Sequence, residues 1–153
     1  MKILFSIILS CYVSLASAQG KSKLILEKST FVYFAPDAYR GEFKFQVYSD
    51  GTIQKVNNKK KKTVLATLSK SQLASLAKTS NAITNVTLSE PQGPECADAP
   101  LQKVSLFRNV TTTATEVVIW ERVNCRESAS VDENALKLVE FIENLQNAFQ
   151  SIE

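Results

Sequence analysis

The chain has 153 residues, 44% hydrophobic and 8% aromatic, with 18 basic and 15 acidic residues and no histidine. A net charge of +3 is too small an excess for a dedicated nucleic-acid binder, which concentrates far more basic charge. The lack of histidine excludes Ser-His-Asp and Cys-His nucleophile activation and removes the usual nitrogen ligand of zinc.

Lys2 precedes an apolar run from Ile3 to Leu15, which ends in Ala16-Ser17-Ala18. This is the pattern of a secretory leader over residues 1–18, cut after Ala18, and the run is too short for a membrane span. Cys11 could be taken for a lipoprotein acylation site, but the apolar stretch before it is short and Ala18 offers the better cut. The expected mature chain, residues 19–153, is a single secreted or periplasmic domain. Without Lys2 it carries 17 basic and 15 acidic residues, a balance of +2. Two cysteines remain, Cys96 and Cys125, and in an oxidising compartment they are expected to form a disulfide.

Residues 24–34 are rich in branched and aromatic types and predict a first strand, with a break near Lys28-Ser29. Phe34 to Gly41 contains Pro36, Asp37 and Gly41 and predicts a loop. From Glu42 to Tyr48 the pattern alternates, with Phe43, Phe45 and Val47 on one face and Lys44, Gln46 and Tyr48 on the other, as in a half-buried strand. Ser49-Asp50-Gly51 predicts a hairpin turn. Thr52–Val56 returns as the partner strand, Asn57–Lys62 forms a polar tip, and Thr63–Ala66 extends the sheet.

Ser69-Lys70-Ser71-Gln72 fits a capping box, and Leu68 and Leu73 stand at the spacing of a hydrophobic staple. A helix is therefore predicted over residues 70–79. Residues 89–100 hold three prolines and a glycine and predict a loop containing Cys96. Residues 101–110 and 115–123 predict a second antiparallel pair. In the latter strand Val117, Ile119 and Val123 share one face, with Glu116, Val118, Trp120 and Arg122 on the other; Trp120 is expected to be buried. Ser130-x-x-Glu133 is a second capping-box pattern. Leu136, Val139, Ile142, Leu145, Phe149 and Ile152 then recur at helical spacing, widened by Leu138 and Phe141, and predict a closing helix of about five turns. The expected fold class is α+β: an antiparallel sheet of four to six strands with two helices packed on one face and one disulfide.

Two clusters are candidates for binding. Tyr33, Phe34, Tyr39 and Arg40 fall together in one loop, and Tyr and Arg are favoured interface anchors. Lys59, Lys60, Lys61 and Lys62 form the strongest run of charge. It suits an anionic surface or acidic partner, and it also suits a solvated tip that keeps an edge strand soluble. Loop carboxylates such as Asp37, Asp50, Glu90, Glu95 and Asp98 are the remaining acid–base groups, and no phosphate-binding glycine loop is present. Asn85-Val86-Thr87 and Asn109-Val110-Thr111 match the glycosylation sequon.

The order of strand, Tyr48-Ser49-Asp50-Gly51-Thr52 turn, strand, Leu68-Ser69-x-x-Gln72-Leu73-x-x-Leu76 helix, strand pair and closing helix resembles the small bacterial emfourin-type inhibitors of thermolysin-like metalloproteases, over roughly residues 42–150. The resemblance implies an inhibitory α+β domain. It transfers no inhibitory residue: Tyr39-Arg40-Gly41-Glu42-Phe43 stands where that group has a glycine-rich stretch, and this chain adds the leader and the cysteine pair. The function expected is that of an exported binding domain rather than an enzyme, without cofactor, metal or catalytic residue. Its partner is expected to be another protein, with protease inhibition the most concrete form. The alternatives are an anion-binding or envelope-associated module using Lys59–Lys62, or a structural protein. No nucleic acid is expected, and no transmembrane segment after leader removal.

Overall fold

The computed structural model describes residues 22–37, 39–110 and 113–150. The expected leader over residues 1–18 lies outside them. The elements are β1 (Leu24–Val32), β2 (Gly41–Tyr48), β3 (Thr52–Val56), β4 (Lys62–Thr67), α1 (Lys70–Ala82), β5 (Leu101–Val110), β6 (Thr113–Val123), β7 (Arg126–Ala129) and α2 (Glu133–Gln150). The strands form one sheet in the order β4-β3-β2-β1-β5-β6-β7, and every pairing is antiparallel.

The α+β class, the antiparallel sheet, the two helices and the Cys96–Cys125 disulfide agree with the sequence reading. The strand number does not: there are seven rather than four to six. The added strand, β7, has the sequence Arg-Glu-Ser-Ala, which carries no strand propensity. It forms because Asn124 and Cys125 both take positive φ, 49° and 66°, and so make the two-residue turn whose twist suits a hairpin. Val123 then pairs with Arg126, and Trp120 with Ala129.

One face of the sheet carries the core. Leu26, Phe45, Val47, Ile53, Val104 and Leu106 pack there with Ala135, Leu138, Val139 and Ile142 of α2. α1 lies against α2 and adds Leu76, with Leu73 partly buried. The stripe on α2 is shifted from the one expected: Ala135 is fully buried whereas Leu136 is exposed. Asp132, rather than Ser130, caps this helix, its Oδ1 accepting from Asn134 N at 2.8 Å and Ala135 N at 3.3 Å. On α1 the capping box forms as read, with Ser69 N donating to Gln72 Oε1 at 2.9 Å and Gln72 N to Ser69 Oγ at 3.3 Å. β1 runs unbroken through Lys28 and Ser29, because Lys28 reaches Glu143 of α2 at 3.0 Å and Ser29 faces the other side of the sheet.

Three register shifts shape the core face. They leave Ile25, Leu65 and Ile119 without an opposite residue, between the pairs Leu24–Tyr48 and Leu26–Val47, Gln54–Val64 and Ile53–Ala66, and Ser105–Val118 and Val104–Trp120. Each extra residue joins its successor (Leu26, Ala66 or Trp120) in the same core. This is why Trp120 and Ile119, expected on opposite faces, are both buried.

The disulfide ties the long connection between α1 and β5 to the β6–β7 turn. The two Cα atoms lie 5.5 Å apart, and Cys96 N donates to Asn124 O at 3.0 Å. The same connection pairs along the free edge of β7 through the bridges Leu88–Ser130 and Gln92–Glu127. Closing a loop of about 30 residues constrains the unfolded chain by roughly 3.5 kcal/mol. Cys96→Ser is therefore expected to lower the urea midpoint and the melting temperature by several degrees and to expose one titratable thiol at Cys125. Two reactive thiols in the oxidised wild-type protein would contradict the bridge.

Candidate functional site

The two loops singled out in the sequence lie side by side at one end of the sheet. β1 and β2 are joined by residues 33–40, and β3 and β4 by residues 57–61. Asn58 Nδ2 donates to Arg40 O at 2.9 Å, linking the second loop to the first. Gly41, at φ +119°, makes the close approach possible: a Cβ there would sit 3.0 Å from Asn58 Cβ. The sequence marks Gly41 only as a loop residue and Asn58 only as part of the polar tip; their contact is not legible there, because it spans the register of three strands.

Each loop has internal structure. Tyr39 N and Arg40 N both donate to Pro36 O, at 2.8 and 3.1 Å, and Arg40 stands 3.5 Å from Asp37. Phe34 and Tyr39 are 70% and 67% exposed and Tyr33 is 49% exposed, its ring 4.5 Å from that of Phe31. In the second loop Lys60 N donates to Asn57 O at 2.8 Å, and Lys60 takes φ 62°. Asn57 Oδ1 accepts from Lys59 N at 3.0 Å and Lys61 N at 2.9 Å. Asn57 thus fixes the tip in a turn, and all four lysines from Lys59 to Lys62 are exposed. The loop end therefore joins exposed aromatic rings to a cationic hairpin on a fixed backbone. The tip also leads straight into β4, the outermost strand on this side of the sheet.

Beneath these loops, on the helix-bearing face, lies a groove of about 450 Å³ between β1–β3 and the last turns of α2. Phe43, Phe45, Leu65 and Phe149 give it apolar walls, and Thr30, Lys55, Gln102 and Gln146 add polar groups. Asn57, the residue that fixes the lysine tip, also lines it.

The opposite face of the sheet holds a polar network that the sequence reading missed. Glu27 is only 4% exposed there. Its Oε2 accepts from Gln46 Nε2 at 2.6 Å, and Lys44 Nζ lies 3.2 Å from Oε1 and 3.2 Å from Glu42. Gln46 Oε1 in turn accepts from the Tyr48 hydroxyl at 3.0 Å and Gln54 Nε2 at 2.7 Å. Burial works against the Lys44 ammonium, but the Glu27 and Glu42 carboxylates outweigh it and raise Lys44 above its ordinary value. Burial, helped by the charges of Glu27 and Asp50, likewise pushes the Tyr48 hydroxyl up. The only sequence signal was the alternation Lys44-x-Gln46-x-Tyr48, and it does not show that Glu27 stands opposite Gln46.

The loop carboxylates do not converge. Asp37 faces Arg40, and Asp50 accepts from Thr52 N at 2.9 Å within its own turn. Glu95 and Glu121 line a shallow depression of about 220 Å³ beside the disulfide. Among the described residues no group of three or more His, Cys, Asp or Glu side chains is placed to hold a metal ion, and no helix is long and apolar enough to cross a membrane. Asn85 is exposed just beyond α1, whereas the Asn109 sequon runs into residue 111, outside the described residues. Comparisons with protein-family models, curated proteins and solved structures found no match for this chain.

Two glutamates on β6 and β7 are held more acidic than usual, as is Asp50 in its turn. Glu116 takes a hydrogen bond from Lys103 at 2.7 Å and another from Ser105 at 2.7 Å, which together hold it low against its partial burial. Glu127 is held low by Trp120 Nε1 at 2.7 Å and by Arg122 at 2.8 Å. A carboxylate depressed in the folded state adds stability above its ordinary value of about 4.5, and that stability disappears as pH falls through the depressed value. Solvent screening keeps the effect modest, because both side chains are partly exposed. The melting temperature should therefore fall as pH is lowered below about 4.5, and the fall should be shallower in Glu116→Gln/Glu127→Gln. An identical slope in the variant would refute this assignment.

Proposed function

We propose that the chain is an exported binding domain that meets its partner through the joined loop end, residues 33–40 and 57–62. The observation that carries this reading is the Asn58–Arg40 hydrogen bond, which turns two separate loops into one surface. Exposed Phe34, Tyr39 and Tyr33 offer apolar contact at small entropic cost, and Arg40 with Lys59–Lys62 selects a partner bearing negative charge. Export is supported by the leader pattern and by the disulfide, which fits an oxidising compartment. The mechanism is steric: a rigid sheet presents the loop end to an acidic patch on another protein. Occlusion of a protease is its most concrete form, resting on the likeness to emfourin-type inhibitors in element order.

A second reading is favoured by the same juxtaposition of rings and cations. Aromatic side chains settle at the headgroup level of a bilayer, and each lysine near an anionic surface contributes about 1 kcal/mol. The domain would then associate with the cell envelope.

The readings separate in one set of measurements on the mature protein. Lys59–Lys62→Ala is expected to weaken binding to anionic vesicles or heparin by up to about a thousandfold, from four contacts of about 1 kcal/mol each. Raised salt should have the same effect as the substitution. Phe34→Ala/Tyr39→Ala should reduce vesicle binding at constant charge, whereas stoichiometric slowing of a thermolysin-like protease, lost in the same variant, would select the inhibitor. Binding that survives both variants would remove the loop end as the site.

A further inference from the structure

We propose that Asn85 carries an N-linked glycan, added to its side-chain amide on export. The tripeptide Asn85-Val86-Thr87 has the required hydroxyl two residues on and no proline between. It follows α1 directly: residues 83–87 form neither helix nor strand, and Asn85 and Thr87 are both exposed. Val86, between them, packs against the core. The segment is held on either side of the acceptor. Arg108 donates to the carbonyls of Ile83 and Thr84, and Val131 N donates to Thr87 O at 3.1 Å. The inward valine and the two anchors keep the amide and the hydroxyl outside, where a bulky polar glycan displaces no packed side chain.

The position leaves the proposed loop end clear. β5 pairs Leu101 with Phe31, next to residues 33–40, and Leu106 with Leu26, towards the other end of the sheet. Arg108 lies beyond Leu106 and reaches Thr84 O at 3.5 Å, so Asn85 stands at the end opposite the aromatic and lysine loops. A glycan there covers the exposed segment after α1 instead of the binding surface. The second tripeptide starts within β5, where Asn109 pairs with Ala114, and lacks this loop setting. In the transfer step Asn85 Nδ2 forms a bond to the anomeric carbon of a glycan carried on a lipid pyrophosphate. The bond from that carbon to the pyrophosphate oxygen breaks, the lipid pyrophosphate leaves, and the amide proton passes to a base of the transferring enzyme. Nothing is oxidised or reduced.

The inference rests on export but not on the loop end as a binding site. The test takes the chain as secreted by its own cells. Peptide N-glycanase in heavy-oxygen water converts a glycosylated asparagine to a labelled aspartate, which peptide mass spectrometry locates. The label is expected at position 85, together with a gain of electrophoretic mobility on deglycosylation. Thr87→Val should abolish the label at Asn85 and Thr87→Ser should keep it, because the acceptor requires the hydroxyl. Melting curves check that each variant folds. Asn85→Gln should leave vesicle and protease binding by the loop end unchanged, so failure of that reading and failure of this one are distinguishable. A leader-free secreted chain with Asn85 unlabelled would overturn the proposal, as would a label at Asn85 that forms without the glycanase or survives Thr87→Val. A recovered chain that still carries residues 1–18 would overturn export and this site together.

Discussion

The structure depends on one asymmetry: seven strands share a single sheet, and the buried apolar core lies on one of its faces. The strands must therefore deliver their apolar side chains to the face that meets α2. Strict alternation supplies about half of each strand, and the three register shifts add to it. By inserting Ile25, Leu65 and Ile119, they put two consecutive apolar residues on the core side at β1, β4 and β6. A bulge also bends and twists its strand, which helps a wide sheet curve around a helix. The same device enlarges the core and shapes the sheet to hold it.

The other face has to solve the converse problem. Its central side chains are shielded by their neighbours, yet most of them are polar. Glu27 is nearly as inaccessible as the core leucines, and Ser29, Gln46, Gln54 and Ser105 are also buried. Such groups are costly when unpaired: Glu27, Gln46 and Gln54 are tied to one another across β1, β2 and β3, and Ser105 donates to Glu116 of β6. Among the described residues no buried side-chain nitrogen or oxygen lacks a partner. The network fixes side chains across the same three strands whose ends carry the two exposed loops. A firm base under those loops would let the proposed binding surface hold its shape.

What the sequence disclosed and what it withheld divide along one physical line. Features set within a few residues were legible: the alternation of Phe43, Phe45 and Val47, the turn at Gly51, the Ser69–Gln72 capping box and the exposed lysine tip. Features set by distant partners were not. β7 depends on Asn124 and Cys125 taking a conformation more usual for glycine, and the burial of Trp120 beside Ile119 depends on how β6 registers with β5. Leu136 satisfied the helical spacing, but Ala135 took the inward position once the Asp132 cap had fixed where α2 starts. The candidate site follows the same division. Tyr33, Phe34, Tyr39, Arg40 and Lys59–Lys62 were visible one by one, whereas the Asn58–Arg40 contact that joins them was not.

The two ends of the sheet are built for different purposes. At one end the β2–β3 turn is closed by packing: Leu68 N donates to Gly51 O at 2.9 Å, and a side chain at Gly51 would lie 3.3 Å from the Leu68 carbonyl. At the other end the β6–β7 side is held by the disulfide and by bridges along the free edge of β7, while the β1–β2 and β3–β4 side carries no such closure. There the chain leaves large rings and four ammonium groups in solvent, at a cost in solubility and self-repulsion that folding alone does not require. Exposed rings and ammonium groups, held on a backbone that is itself fixed by hydrogen bonds, are what the proposed contact outside the molecule would use.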